Sequence, residues 1–171
     1  MCSSDLGMAK LAKYPLMYQP GEKWHYGFSS DVLGRIAEVA SGERLDQFMR
    51  KRLLDKLGMA GTDFSVQAGK RDLLADAYAP DAAGKLGNVS AKLPPSSSYD
   101  KPGTFFSAGG GLISTAGDYL RFCQMLLNGG TLDGVRVLKA ETVKNMLTRH
   151  TTPEQGLVNW YDPKPPAVWK G

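Results

Sequence analysis

The chain has 171 residues, 42% hydrophobic and 22% charged, the balance of one soluble domain with a sizeable core. No apolar run approaches the ~18 residues of a membrane helix, and no basic-then-apolar leader opens the chain, so no membrane span is expected and the sequence gives no support for secretion. The formal charge of +4 would suit an acidic partner, yet between Arg35 and Lys56 the basic residues alternate with Glu38, Glu43, Asp46 and Asp55, as on a solvated helix surface. Only Arg50-Lys51-Arg52 is unbroken, too short for a nucleic-acid footprint, so no nucleic-acid partner is expected.

Taken in chain order, residues 1–6, Met-Cys-Ser-Ser-Asp-Leu, read as a non-native leader, because Cys-Ser-Ser-Asp-Leu resembles one reading frame of a sequencing-adapter oligonucleotide. Residues 7–171 read as a partial domain. Pro20 to Gly42 crowds Trp24, His25 and Tyr26 into a turn just ahead of a helix over about Ser30 to Ser41. In that helix Val32, Leu33, Ile36, Val39 and Ala40 share a face, Ser29 or Ser30 can cap the start, and Gly42 supplies the left-handed stop. A second helix over about Leu45 to Leu57 carries Leu45, Phe48, Met49, Leu53, Leu54 and Leu57 inward and ends at Gly58, so the pair forms an αα-hairpin.

From Gly61 to Phe106 nothing is strongly periodic, and Pro94, Pro95 and Ser96-Ser97-Ser98 mark irregular chain. Thr115-Ala116-Gly117-Asp118 fits a reciprocal capping box. The run Tyr119 to Leu127 that follows is apolar on more than one face, which predicts a deeply buried helix closed by Asn128-Gly129-Gly130. Cys123 within it reads as a small core residue, and it and Cys2 make neither a disulfide nor a metal framework. Asp133-Gly134 suits a tight hairpin, and a fourth helix covers about Ala140 to Thr148. The proline-rich tail after Thr152 shows no closing element, and both ends read as cuts.

Chemistry centres on Tyr26. A phenol titrates near pH ~10, so a tyrosine acts as a base at neutral pH only where a neighbouring cation or a helix N-terminus favours the phenolate. The other reading is a packed tyrosine whose hydroxyl closes a loop. Trp24 reads as core, with a part in lining an acyl pocket as the lesser reading. His25 reads as a loop residue, and His150 as a helix-end residue facing the dipole; neither makes a metal site or a Ser/His dyad. Gly109-Gly110-Gly111 lacks the Gly-Lys-Ser/Thr of a phosphate loop and reads as a flexible turn.

The stretch "PGEKWHYGFSSDVLGRIAEVASGERLDQFMRKRLLDKLGM" resembles the tyrosine motif and following helices of the serine β-lactamase-related hydrolases: class C β-lactamases, low-molecular-weight penicillin-binding proteins and family VIII carboxylesterases. "GGGLISTAGDYLRFCQMLLNGGTLDGVRVL" resembles their downstream glycine turn, helix and hairpin. The resemblance implies a mostly helical fragment of an α/β, β-lactamase/transpeptidase-like fold. It also implies a serine of a Ser-x-x-Lys motif as acyl-enzyme nucleophile, Tyr26 as its proton relay, no cofactor, and a small-molecule ester or amide substrate.

Where those relatives carry Tyr-x-Asn, this chain carries Tyr26-Gly27-Phe28. Phe28, as a substrate-binding residue, suits an ester with an apolar group and tilts the expectation to a carboxylesterase. The alternatives are a β-lactamase or D-alanyl-D-alanine peptidase, and a non-catalytic binding or scaffolding relative. Ser98-Tyr99-Asp100-Lys101 is the one formal Ser-x-x-Lys match. It reads as a decoy, because Pro102 disfavours helical geometry at Lys101. The nucleophile segment is therefore expected upstream of this chain, the family's third motif beyond Gly171, and the chain by itself is expected to be inactive.

Overall fold

The computed structural model describes residues 3–90, 99, 103–152 and 155. It opens with helix α1, Ser3–Leu11. Helix α2, Ser29–Ser41, ends as its sequence dictates: Gly42 lies at φ 70° and its N–H bonds to the Glu38 carbonyl. Its start differs from expectation. Phe28 is the N-cap and no side chain caps the helix, so neither Ser29 nor Ser30 fills that place.

Helix α3, Leu45–Met49, runs without a break into a π turn over Arg50–Leu54. One α-helix to Leu57 was expected; the π turn is seen in the bond from Asp55 N–H to the Arg50 carbonyl, 3.0 Å. Its wider turn re-aims the inner face. Leu45 packs with Phe64 and Phe106, whereas Leu54 and Leu57 pack with Met59, Met125 and Leu132. One helical run thus serves two apolar clusters. The α2–α3 hairpin is held by buried Glu38, whose Oε1 accepts the Leu45 N–H at 3.0 Å while Oε2 pairs with Arg35 at 3.1 Å. Each member of the basic triplet has a neighbour: Arg50 pairs with Asp63, Lys51 with Glu43, and Arg52 lies over the Phe48 ring at 5.9 Å.

The stretch after Gly61 holds more structure than its weak periodicity predicts. A 3-10 turn, Arg71–Leu73, precedes a hairpin of β1, Tyr78–Pro80, and β2, Leu86–Asn88, with Tyr78 opposite Asn88. Asp81 makes the turn: its Oδ1 accepts the N–H groups of Ala83 and Lys85, both at 2.9 Å. Asp63 and Ile113 exchange backbone bonds at 3.1 and 2.8 Å and stitch this region to the chain ahead of the next helix.

Helix α4, Ala116–Leu127, starts at Thr115, whose hydroxyl accepts the Asp118 N–H at 3.1 Å as a capping box requires. The reciprocal arm is absent, since Asp118 Oδ2 instead accepts from Gly61 N–H and Thr62 Oγ1, both at 2.8 Å. Deep burial of α4 is also corrected. Met125 is fully buried, but Tyr119, Leu120 and Leu127 are exposed and Cys123 is only partly covered. One face of α4 meets the core, and no described element covers the other.

Strands β3, Thr131–Leu132, and β4, Val135–Arg136, form the expected hairpin, with Asp133 at φ 47° and Gly134 at φ 77°. Helix α5, Ala140–Met146, follows, and the His150 ring lies 2.8 Å from the Asn145 carbonyl at its C-terminal end, as read from the sequence. Arg121 of α4 binds both the Leu57 carbonyl and Asp133, tying the end of the α3 run to the β3–β4 turn.

Candidate active site

The turn before α2 presents its aromatics outward. Tyr26 is 57% exposed and Phe28 66%. Trp24 is 37% exposed rather than core. Its N–H bonds to the Gln155 carbonyl at 3.2 Å, and Gln155 Nε2 donates to the Gly21 carbonyl at 2.7 Å, fixing the turn from outside. His25 faces Tyr18 with ring centroids 6.0 Å apart, and Lys23 Nζ stands 5.1 Å from the Tyr18 ring.

Asp31 in the first turn of α2 brings a second element to this end of the helix. Its Oδ1 accepts from Ser107 Oγ at 2.6 Å and from Gly109 N–H at 3.3 Å. The glycine run is therefore a docked turn and not a free one. Its own closure is the Gly111 N–H to Ser107 carbonyl bond at 3.0 Å, and a Cβ on Gly111 would come within 2.6 Å of that carbonyl oxygen. Close approach continues one turn along α2, where a Cβ on Gly34 would lie 2.8 Å from Ala108 Cβ. The Ser107–Gly111 turn is thus docked on the first turns of α2, the helix that Tyr26 and Phe28 directly precede.

Neither Asp31 nor Ser107 was singled out from the sequence. They are 76 residues apart, and an aspartate in a first helical turn reads as an ordinary dipole partner. Ser98 and Lys101 of the formal Ser-x-x-Lys match lie outside the described residues. Among the described residues, no three His, Cys, Asp or Glu side chains gather closely enough to hold a metal ion.

The sequence pattern of the family described as Beta-lactamase matches residues 4–166. This chain belongs to that family. An uncharacterized protein of Mycobacterium tuberculosis is 42% identical over 88% of the chain, and the lovastatin esterase of Penicillium rubens is 35% identical over 82%. The chain spans 37% and 34% of the length of those two relatives. Among solved structures, a mutant simvastatin synthase of Aspergillus terreus superposes with a TM-score of 0.69 at 27% identity, covering 88% of this chain and 36% of that one. A penicillin-binding protein of Bacillus halodurans, 18% identical with a TM-score of 0.64 over 86% of this chain and 41% of that one, shares the fold. The architecture is accordingly the family's β-lactamase/transpeptidase-like fold, seen as helices with a few short strands. The relatives include hydrolases and acyl-transferring enzymes.

Proposed function

We propose that the full-length protein is a carboxylesterase that works through an acyl-serine intermediate, with Tyr26 as proton relay and Phe28 in the substrate site. The observation that carries this reading is the Tyr26-Gly27-Phe28 turn, which presents an exposed phenol beside an exposed apolar ring where β-lactamases hold a side-chain amide. The serine belongs to a Ser-x-x-Lys segment ahead of residue 7, and the 171-residue chain alone forms no acyl-enzyme.

In the proposed step the Tyr26 oxygen takes the serine proton as the serine Oγ attacks the ester carbonyl. It returns that proton to the departing alcohol, leaving the acyl-serine. Water then repeats the sequence, with its proton passing to the Tyr26 oxygen and on to the serine Oγ as the acid leaves. An apolar Phe28 favours apolar acyl or alcohol groups through burial and gives no amide to hold a lactam.

The test is a rate comparison on the full-length protein between a short-chain nitrophenyl ester and a chromogenic cephalosporin. Faster ester hydrolysis, lost by ~100-fold or more in Tyr26→Phe, is the expected result. Preference for the cephalosporin overturns the reading of Phe28, and a full-rate Tyr26→Phe removes Tyr26 from the mechanism. A serine-directed phosphonate should leave the 171-residue chain unlabelled; labelling at Ser98 would mean that the formal motif is not a decoy.

A further inference from the structure

We propose that Asp31 is a positioning residue for the substrate site: its carboxylate holds the Ser107–Gly111 turn in place as a wall beside Tyr26 and Phe28. The proposal rests on the esterase reading above. Asp31 lies three residues beyond the Phe28 cap, within the first turn of α2, where ~1.5 Å of rise per residue keeps it close to the aromatic turn. From there Oδ1 accepts two bonds from the glycine turn, the Ser107 hydroxyl at 2.6 Å and the Gly109 amide at 3.3 Å.

Asp31 supplies the hydrogen bonds that hold the turn to α2, and the Gly34–Ala108 contact the packing. Gly109 and Gly110 are exposed, and a Cβ at Gly110 would meet no atom within 4 Å, so that part of the turn faces open space. Gly109 lies against the clamp itself, since a Cβ there would stand 3.1 Å from Asp31 Oδ2. The turn therefore has an anchored side, made by Asp31 and by the Gly34–Ala108 contact, and an open side at Gly110. An ionised acceptor makes stronger hydrogen bonds than a neutral one, which suits a turn that otherwise has little side-chain mass to pack.

Asp31 touches neither the reacting carbonyl nor the nucleophile in this account. Its loss should therefore weaken substrate binding more than turnover. The experiment uses the full-length protein and nitrophenyl esters of short and long acyl chain, with active sites titrated so that misfolded enzyme does not count. Asp31→Ala should raise KM for the long-chain ester by ~10-fold while kcat changes by less than ~3-fold. Ser107→Ala, a smaller change, should give the same direction, and the double variant should be no worse than Asp31→Ala, because that variant already removes the Ser107 bond along with the Gly109 one. Asp31→Asn keeps an oxygen acceptor and should recover most of the wild-type KM.

Hydrogen exchange of the peptide covering Ser107–Gly111 supplies a readout independent of turnover, and it should quicken in Asp31→Ala and not in Asp31→Asn. A purely structural role would lower the titrated active fraction and leave KM unchanged, which overturns the proposal. So does unchanged exchange of the turn, or KM and kcat effects that simply add in the double variant. If the wild-type enzyme shows no Tyr26-dependent ester hydrolysis, the esterase reading falls first and this one with it. An unmoved KM in an active, Tyr26-dependent enzyme defeats the clamp alone.

Discussion

Thr62 shows how much of this fold rests on single polar atoms. It is 2% exposed, and its hydroxyl pairs with Ser114 Oγ at 2.7 Å and Asp118 Oδ2 at 2.8 Å. Replacing it with valine keeps the shape but removes both bonds and leaves the Asp118 carboxylate with a poorer partner set. Thr62→Val should destabilise the protein by about 1–3 kcal/mol, measured by urea unfolding with an unchanged m-value. A loss under ~0.5 kcal/mol would mean that Asp118 is satisfied by Gly61 and solvent. Such residues set the limit of what the sequence discloses. Thr115 was readable as a cap because its partner lies three residues on, whereas Asp118 turns to Gly61 and Thr62, 57 and 56 residues away. Tyr26 was singled out from a local motif. Asp31 was not, since its partner Ser107 lies 76 residues away.

At the scale of elements, hydrophobic period and glycine stops located α2, α4, α5 and the β3–β4 hairpin, because each is specified within a few residues. Gly42 at φ 70° and Gly134 at φ 77° occupy left-handed positions that the sequence marks openly. The β1–β2 hairpin escaped notice because its strands are three residues each and mostly exposed, which leaves no alternation to read. Its signal was Asp81 to Gly84, a turn signature without a periodic run on either side. The π turn is invisible to a count of apolar spacings, since Leu53, Leu54 and Leu57 fit an α-helix equally well. What the π turn accomplishes is testable through Leu57, which is fully buried against Met125, Leu54 and Met59 in one cluster. Leu57→Ala should cost about 3–5 kcal/mol, the range for a cavity that cannot collapse, whereas Phe48→Ala in the other cluster should cost less because Phe48 is only partly buried. Equal losses by denaturant titration would show that the two clusters unfold as one unit with no graded burial.

At the scale of the molecule, the described residues carry an apolar surface that no described element covers. On α2, Leu33, Ile36 and Val39 are 64%, 55% and 68% exposed and recur every third residue along one stripe. The sequence places these residues on one face, and that period holds, but α2 docks through its other side, where Gly34, Ala37 and Glu38 meet Ala108, Leu45 and the start of α3. On α4, Leu120 and Leu127 add 67% and 81% exposure. Stripes of this kind on two helices exceed the scattered apolar residues of an ordinary surface, and each large side chain left in water forgoes roughly 1.5–3 kcal/mol of burial. The 171-residue chain made alone should therefore bind the dye ANS and associate at micromolar concentration, with light scattering falling as it is diluted. Replacing Leu33, Ile36 and Val39 together by glutamine should reduce both signals while far-UV circular dichroism stays unchanged, because none of the three packs within a core cluster. A monodisperse monomer with no dye response would mean that these helices bury their stripes in solution by an arrangement other than the one described.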